Sequence, residues 1–257
     1  IDYQSGGYFP YLQRKVFISM SEFIRNIIRK FGYDIVRYKG YHPGRFAFLD
    51  MSKFVHKENP LIFDVGANIG QSISLFKKQF PQSIIHSFEP SPKTFEILQK
   101  ANANRNDVHL WNIALGSKVE QKVLLENSHS EMSSFLPLAE FGWGEIKTRT
   151  VVPVSTIDQF CYEKDINNID ILKIDTQGFD FDVIKGAEKS ILENRIGLLY
   201  FEIIFSEQYK DLPPVAEIFD YLFTHRFKLI TLYPFAIQQG LASWTNGLFI
   251  HNSYLPN

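Results

Sequence analysis

From residue 61 onward, short apolar runs alternate with segments whose apolar residues recur every three or four positions. The first pattern predicts strands and the second amphipathic helices. Strands are expected at Leu61–Val65, Ser83–Phe88, Val108–Ile113, Ile169–Ile174, Gly197–Ile204, Phe227–Leu232 and Gly247–His251. Helices are expected near 70–80, 92–103, 155–163, 180–193 and 214–225. Such alternation builds βαβ units and a mostly parallel sheet of seven strands. Residues 117–150 break the alternation. They are polar around Glu126–Ser134 and aromatic around Phe135–Trp143, and predict a hairpin with a long loop.

Ahead of this region the pattern changes. Residues 1–19 are aromatic- and Gly-rich without a period. Phe23, Ile24, Ile27, Ile28 and Phe31 then recur at helical spacing, Arg25, Arg29 and Lys30 fall on other faces, and Gly32 marks a stop. The chain thus divides into an N-terminal helical extension, 1–58, and an α/β domain, 59–257. The helix has two readings. It packs on the main domain or across a homodimer interface, or residues 21–31 lie on an anionic membrane surface. Packing ranks first, because an apolar stripe usually marks core contact.

Composition narrows the classes. With 45% hydrophobic residues among 257, the chain can bury a sizeable core, which excludes a disordered or collagen-like protein. No run approaches the ~18 apolar residues of a membrane span. No apolar run precedes a small-residue cleavage site either, so a cytoplasmic location is expected, with peripheral contact at the inner membrane face as the variant. A single cysteine, Cys161, excludes a disulfide framework and a cysteine-rich zinc site. The net charge is −1, but residues 1–60 carry +5 and the remainder −6. An acidic main domain argues against nucleic acid as a partner.

The strongest local signal is Phe63-Asp64-Val65-Gly66-Ala67-Asn68-Ile69-Gly70. An apolar strand runs into a glycine-rich turn that opens a helix. Glycine tolerates positive φ and lets a ligand approach the backbone closely. Nineteen residues beyond Gly70, the second strand ends in Glu89-Pro90. A carboxylate there can accept both ribose hydroxyls of an adenosine-type cofactor. The turn is not the dinucleotide G-x-G-x-x-G, and it is not a P-loop, because no Lys-Ser/Thr pair follows it.

These residues resemble a family. Asp64–Gly70, Phe88-Glu89-Pro90 and Asn112-Ile113-Ala114-Leu115-Gly116 are similar to the cofactor half of FkbM-type methyltransferases. Leu172-Lys173-Ile174-Asp175-Thr176-Gln177-Gly178, followed by Val183-Ile184-Lys185-Gly186-Ala187, resembles that family's second signature. The resemblance spans roughly 58–251. It implies a class I (Rossmann-like) methyltransferase fold, S-adenosylmethionine as cofactor, and O-methylation, usually of a sugar hydroxyl in a polysaccharide, glycolipid or macrolide. It also implies a cofactor turn shaped by Asp64, Gly66, Ala67, Asn68 and Gly70, a ribose on Glu89 beside Pro90, and an adenine near Asn112 and Ala114. Ser133 and Ser134 are implied to touch the cofactor. Many members carry Asp-x-Glu-Gly where this chain has Asp175-Thr176-Gln177-Gly178, so Gln177 is not read as a base.

Methyl transfer to a hydroxyl needs alignment and a route for the hydroxyl proton. Alignment is worth ~7–11 kcal/mol in the best cases, and a positioned base adds ~10²–10⁴-fold. Asp175 ends an apolar strand at the sheet's carboxyl edge. It is the first candidate to hold or deprotonate the acceptor, or to face the methionine end of the cofactor; the plainer reading is a helix N-cap. Glu202 sits in the apolar run Tyr200–Ile204, where an unpaired charge is expensive. Paired with Asp175 it would share a proton; otherwise it forms a salt bridge to a Lys or Arg. A divalent metal on that pair ranks last. His129 lies in the polar loop and is a third catalytic candidate, set against an ordinary exposed histidine. His86 reads as a core residue. Phe141, Trp143 and Tyr209 offer apolar faces for a sugar ring, or simply core.

The leading expectation is therefore an S-adenosylmethionine-dependent O-methyltransferase with a sugar-containing acceptor. Its rivals are methylation of a non-sugar small molecule and cofactor binding without turnover.

Overall fold

The computed structural model describes residues 20–33 and 41–255. They fall into two compact units, divided along the chain after His42. In the first, α1 (Met20–Lys30) ends as expected at Gly32, whose φ is +81°. Gly32 N–H donates to the Arg29 carbonyl and Tyr33 N–H to the Ile28 carbonyl, which satisfies two of the helix's last carbonyls. Phe23, Ile24, Ile27 and Phe31 are exposed. The expectations for residues 1–19 lie outside the described residues. Among the described residues no helix is long and apolar enough to cross a membrane. If α1 packs against protein, the full chain should not co-sediment with anionic vesicles. Salt-sensitive binding that disappears in a chain starting at residue 33 would contradict packing.

The second unit begins at Pro43, so residues 43–58 belong with the main sheet. The short helix α2 (Ala47–Met51) buries Met51. Its buried Asp50 accepts from Gly44 N–H at 2.8 Å and from the Tyr233 hydroxyl at 2.9 Å.

The main sheet follows the expected plan. Its parallel strands are β1 (Leu61–Val65), β2 (Ile84–Phe88), β3 (Val108–Trp111), β7 (Ile169–Ile174) and β8 (Ile196–Ile204). The order is β3-β2-β1-β7-β8-β11, where β11 (Leu241–His251) is antiparallel to β8. The last position is shared. β9 (Phe227–Leu232) pairs with the second half of β11 and β10 (Ala236–Gln238) with its first half. Eight strands thus fill seven positions. A second sheet of β4 (Ala114–Leu115), β5 (Glu120–Asn127) and β6 (Ile146–Ser155) contains the predicted hairpin, with residues 128–145 as its long loop.

Helices cover both faces of the main sheet, so its central strands are buried and mostly apolar. All six residues of β7 are buried. Alternate side chains serve opposite layers. Ile62, Ile171 and Leu198 pack with α3 (Gln71–Gln79) and α4 (Pro92–Ala101) through Ile73, Phe76 and Leu98. Phe63, Leu172 and Leu199 pack with α5 (Ile157–Glu163), α6 (Asp180–Lys185), α7 (Glu188–Leu192) and α8 (Val215–Thr224). The helix expected over 180–193 is two helices. A Cβ on Gly186 would lie 2.0 Å from the Gly116 carbonyl oxygen, so the chain breaks where it crosses the β4 turn.

Candidate active site

The chain leaves β1 toward β2 on one side, while β7 lies on the other. Strand order therefore reverses between β1 and β7, and the crevice outside their carboxyl ends is where ligands bind in such sheets. Two contacts close that edge. Asp175 N–H donates to the Val65 carbonyl at 3.0 Å. A Cβ on Gly66, whose φ is +75°, would lie 1.9 Å from the Asp175 carbonyl oxygen. Only glycine fits this junction. Gly70, at φ +96°, and Asn68, at φ +48°, complete the turn into α3.

Above this edge lies a partly open cleft. Phe88, Ile113, Leu124 and Phe135 give it apolar walls. Polar groups enter from Asn68, Glu89, Ser130, Ser134, Asp175 and Gln177.

Glu89 is buried at one end. Its Oε2 accepts Asn68 N–H at 3.0 Å and its Oε1 accepts Ser91 N–H at 2.9 Å. Burial pushes its pKa up to about 7, against the pull of those two backbone donors and of Lys173. Each carboxylate oxygen keeps a second lone pair, so Glu89 can accept two hydroxyls from a ligand in the cleft. Asn112 does not line the cleft. Its amide donates to the carbonyls of Glu89 and Pro90 at 2.9 and 3.1 Å, which fixes the backbone that presents the carboxylate.

Beneath the turn, Lys173 is buried among acids. Its Nζ lies 2.9 Å from Asp64 Oδ1 and 3.8 Å from Asp175 Oδ2, and donates to the Gly66 carbonyl at 3.0 Å. Burial works to lower its pKa, but Asp64 and Asp175 outweigh it and the net direction is upward. Asp64 also accepts from Ser72 Oγ at 2.6 Å and is fully buried. It braces the turn from below and does not reach the cleft.

At the other end, Gln177 joins two carboxylates. Its Nε2 donates to Asp175 Oδ1 at 3.0 Å and to Glu202 Oε2 at 3.4 Å. Its Oε1 accepts from the Tyr209 hydroxyl at 2.9 Å, which fixes the amide's orientation. Its carbonyl accepts from Ser134 Oγ at 2.7 Å. Gln177 holds φ at +56°, a left-handed conformation that is costly for a residue with a side chain and concentrates at functional sites. Burial and the neighbouring Asp175 and Asp180 raise the Glu202 pKa well above the usual carboxylate range. Asp180 is likewise raised, to about 6, by burial and Asp175, although Thr176 N–H and Oγ1 donate to it. Asp175 is half exposed and caps no helix.

The family profile described as "Methyltransferase FkbM domain" matches residues 64–229, more than half of the chain. The chain belongs to the FkbM methyltransferase family. It is 25% identical over 200 residues to the 2-O-methyltransferase NoeI of Sinorhizobium fredii, covering 72% of this chain and 79% of that protein. It is 25% identical over 174 residues to Methyltransferase 1 of Beauveria bassiana, covering 53% of this chain and 67% of that protein. A crystal structure of an FkbM methyltransferase from Methylobacillus flagellatus matches with a TM-score of 0.50 at 16% identity, over 76% of this chain. The chain spans 44% of that longer protein. The fold is that of class I methyltransferases.

In this FkbM chain the cleft brings together Gly66, Asn68, Glu89, Pro90, Ala114, Ser134 and Asp175 from the sequence-based set. Asp64, Ala67, Gly70 and Asn112 support it from behind. Glu202 joins through Gln177. His129 is exposed, its ring 4.8 Å from that of Trp143, and it does not line the cleft, whereas its neighbours Ser130 and Glu131 do. His86 accepts from Trp111 Nε1 at 3.2 Å, and burial beside His109 and Lys164 lowers its pKa to about 4. Among the described residues no group of three or more His, Cys, Asp and Glu side chains is arranged to hold a metal ion. Sequence reasoning passed over Lys173 and Asp180, and set Gln177 aside as a base without giving it another role. A lysine inside a continuously apolar strand was the available signal, because a buried cation demands paired acids.

Proposed function

We propose that this chain transfers a methyl group from S-adenosylmethionine to a hydroxyl of a sugar-containing acceptor. The observation that carries the proposal is the Asp175–Gln177–Glu202 group at the mouth of the cofactor cleft. The fit of the cleft to an adenosine-type cofactor rests on the two unused lone pairs of Glu89. When bound there, S-adenosylmethionine supplies a methyl group already activated by its sulfonium.

The chain's own residues then do three things. Glu89 holds the ribose hydroxyls, with its backbone fixed by Asn112. Phe88, Ile113 and Leu124 exclude water from the nucleoside. Asp175 accepts the acceptor's hydroxyl proton as the new O–C bond forms. Gln177 occupies Oδ1 of Asp175 and leaves Oδ2 for the hydroxyl. Burial and the neighbouring carboxylates push Glu202 toward its neutral form. His129 sits on the rim, away from the transferred proton. The name of NoeI supports O-methylation.

Glu89→Ala should raise the dissociation constant for S-adenosylhomocysteine by at least ~10-fold, because charged hydrogen bonds are worth ~1.5–3 kcal/mol each. Titration calorimetry measures it; an unchanged affinity removes the ribose assignment. Donated hydroxyls favour the ionised carboxylate, so wild-type affinity should weaken as pH falls through about 7. Glu89→Gln should flatten that dependence.

The reaction itself is tested with methyl-labelled S-adenosylmethionine and panels of sugars and non-sugar hydroxy compounds. The proposal expects a base-stable methyl ether on a sugar oxygen, located by mass spectrometry. Label found only on non-sugar acceptors, or as a base-labile ester, contradicts it.

A further inference from the structure

Beside the cofactor cleft lies an open depression of about 730 Å³. It continues into another of about 290 Å³. Glu140, Phe205, Ser206 and Glu207 line both, so the two form one groove. The first part alone falls within the ~300–1,000 Å³ of a small-ligand site, and the second lengthens it.

The groove is firmly built. Ala139 and Phe141 N–H donate to the carbonyls of Gln208 and Glu207, both at 2.9 Å, and Lys210 N–H donates to the Pro137 carbonyl at 2.8 Å. These bonds tie the long loop of the β5–β6 hairpin to the segment after β8. The buried Ser243 hydroxyl then joins the β8 extension to the β10–β11 hairpin through three contacts. It lies 2.6 Å from Ser206 Oγ, accepts Gln208 Nε2 at 3.0 Å, and donates to Gln238 Oε1 at 3.0 Å. Gln238 Nε2 returns to the Phe141 carbonyl at 3.2 Å. Loop, β8 extension and β10–β11 hairpin therefore hold a fixed relation, and a ligand would find the groove already formed.

Its chemistry is specific. Phe141 and Phe205 present ring surface, and the Phe205 ring stands 5.7 Å from that of Phe235. Glu140, Glu207 and Asp211 supply carboxylates against one cation, Lys210. Apolar faces edged by acceptors suit sugar rings, which show C–H faces and donate hydroxyls from their rims. Excess negative charge disfavours phosphorylated, sulfated or uronate-rich chains, and nucleic acid. One side chain joins the groove to the reacting groups. Tyr209 lines it, and the Tyr209 hydroxyl donates to Gln177, which orients Asp175 and Glu202.

We infer that this groove holds the remainder of an extended neutral oligosaccharide, with the methylated unit at its Gln177 end. The inference rests on the sugar-acceptor reading above and adds chain length and charge to it.

The test uses the full chain with S-adenosylhomocysteine on an array of immobilised oligosaccharides: neutral ones of graded length, and sulfated or uronate-bearing ones. Phe205→Ala and Glu207→Gln change exposed side chains and should leave folding intact. Neutral chains should bind more tightly with length, and each variant should weaken the longer ones by about tenfold or more while leaving cofactor affinity unchanged. No binding of neutral chains, preference for anionic ones, or equal binding by variant and wild type overturns the groove. Labelled-methyl transfer to free monosaccharides is run in parallel. Efficient transfer to single sugars, with no length preference and full activity in both variants, overturns the groove but leaves the sugar reading standing. Transfer to non-carbohydrates alone removes both.

Discussion

Asp175→Asn is expected to cut methyl transfer by ~10²-fold or more while leaving cofactor affinity within a few-fold. The substitution keeps shape and an oxygen that can accept from Gln177, and removes only the capacity to take a proton. Asp175 is half exposed at the mouth of the cleft, so losing its charge should not collapse the turn beneath. Glu202 is half-buried and reaches Asp175 only through Gln177, so it is poorly placed to substitute as base. Single-turnover rates and calorimetry with S-adenosylhomocysteine separate the outcomes. Normal turnover would remove Asp175 from the chemistry. An equal loss of cofactor affinity would reassign it to cofactor binding.

Lys173→Met should destabilise the domain by ~3–5 kcal/mol, since it strands a fully buried carboxylate. Asp64 would keep only the Ser72 hydroxyl, and the Gly66 carbonyl would lose its donor. Urea unfolding gives the value. The double variant Lys173→Met/Asp64→Asn should recover much of the loss, because no unpaired charge remains. A single-variant loss below about 1 kcal/mol, or no recovery in the double variant, would contradict the brace beneath the cofactor turn.

Much of this arrangement was legible along the chain. The β1 turn and the terminal acid Glu89 follow from local pattern, because strand, glycine turn and helix are adjacent in sequence. β7 with Asp175 at its end was equally plain, since apart from Asp170 and Lys173 the run is apolar. Other features depend on distant partners. Gln177 gained its place only through Tyr209 and Glu202, 32 and 25 residues further on. The break between α6 and α7 comes from Gly186 meeting Gly116, which no helical periodicity records. The short β10 was hidden because it pairs with only the first half of β11. His129 sits in the expected loop, but the cleft is lined by the residues that follow it.

The central claim is that one crevice presents cofactor and acceptor to Asp175. A crystal structure of the chain with S-adenosylhomocysteine tests it most directly. The account predicts the ribose on Glu89, the adenine between Phe88, Ile113 and Leu124, and the sulfur turned toward Asp175 and Gln177. A cofactor bound elsewhere, or bound in this cleft with its sulfur turned away from Asp175, would contradict it.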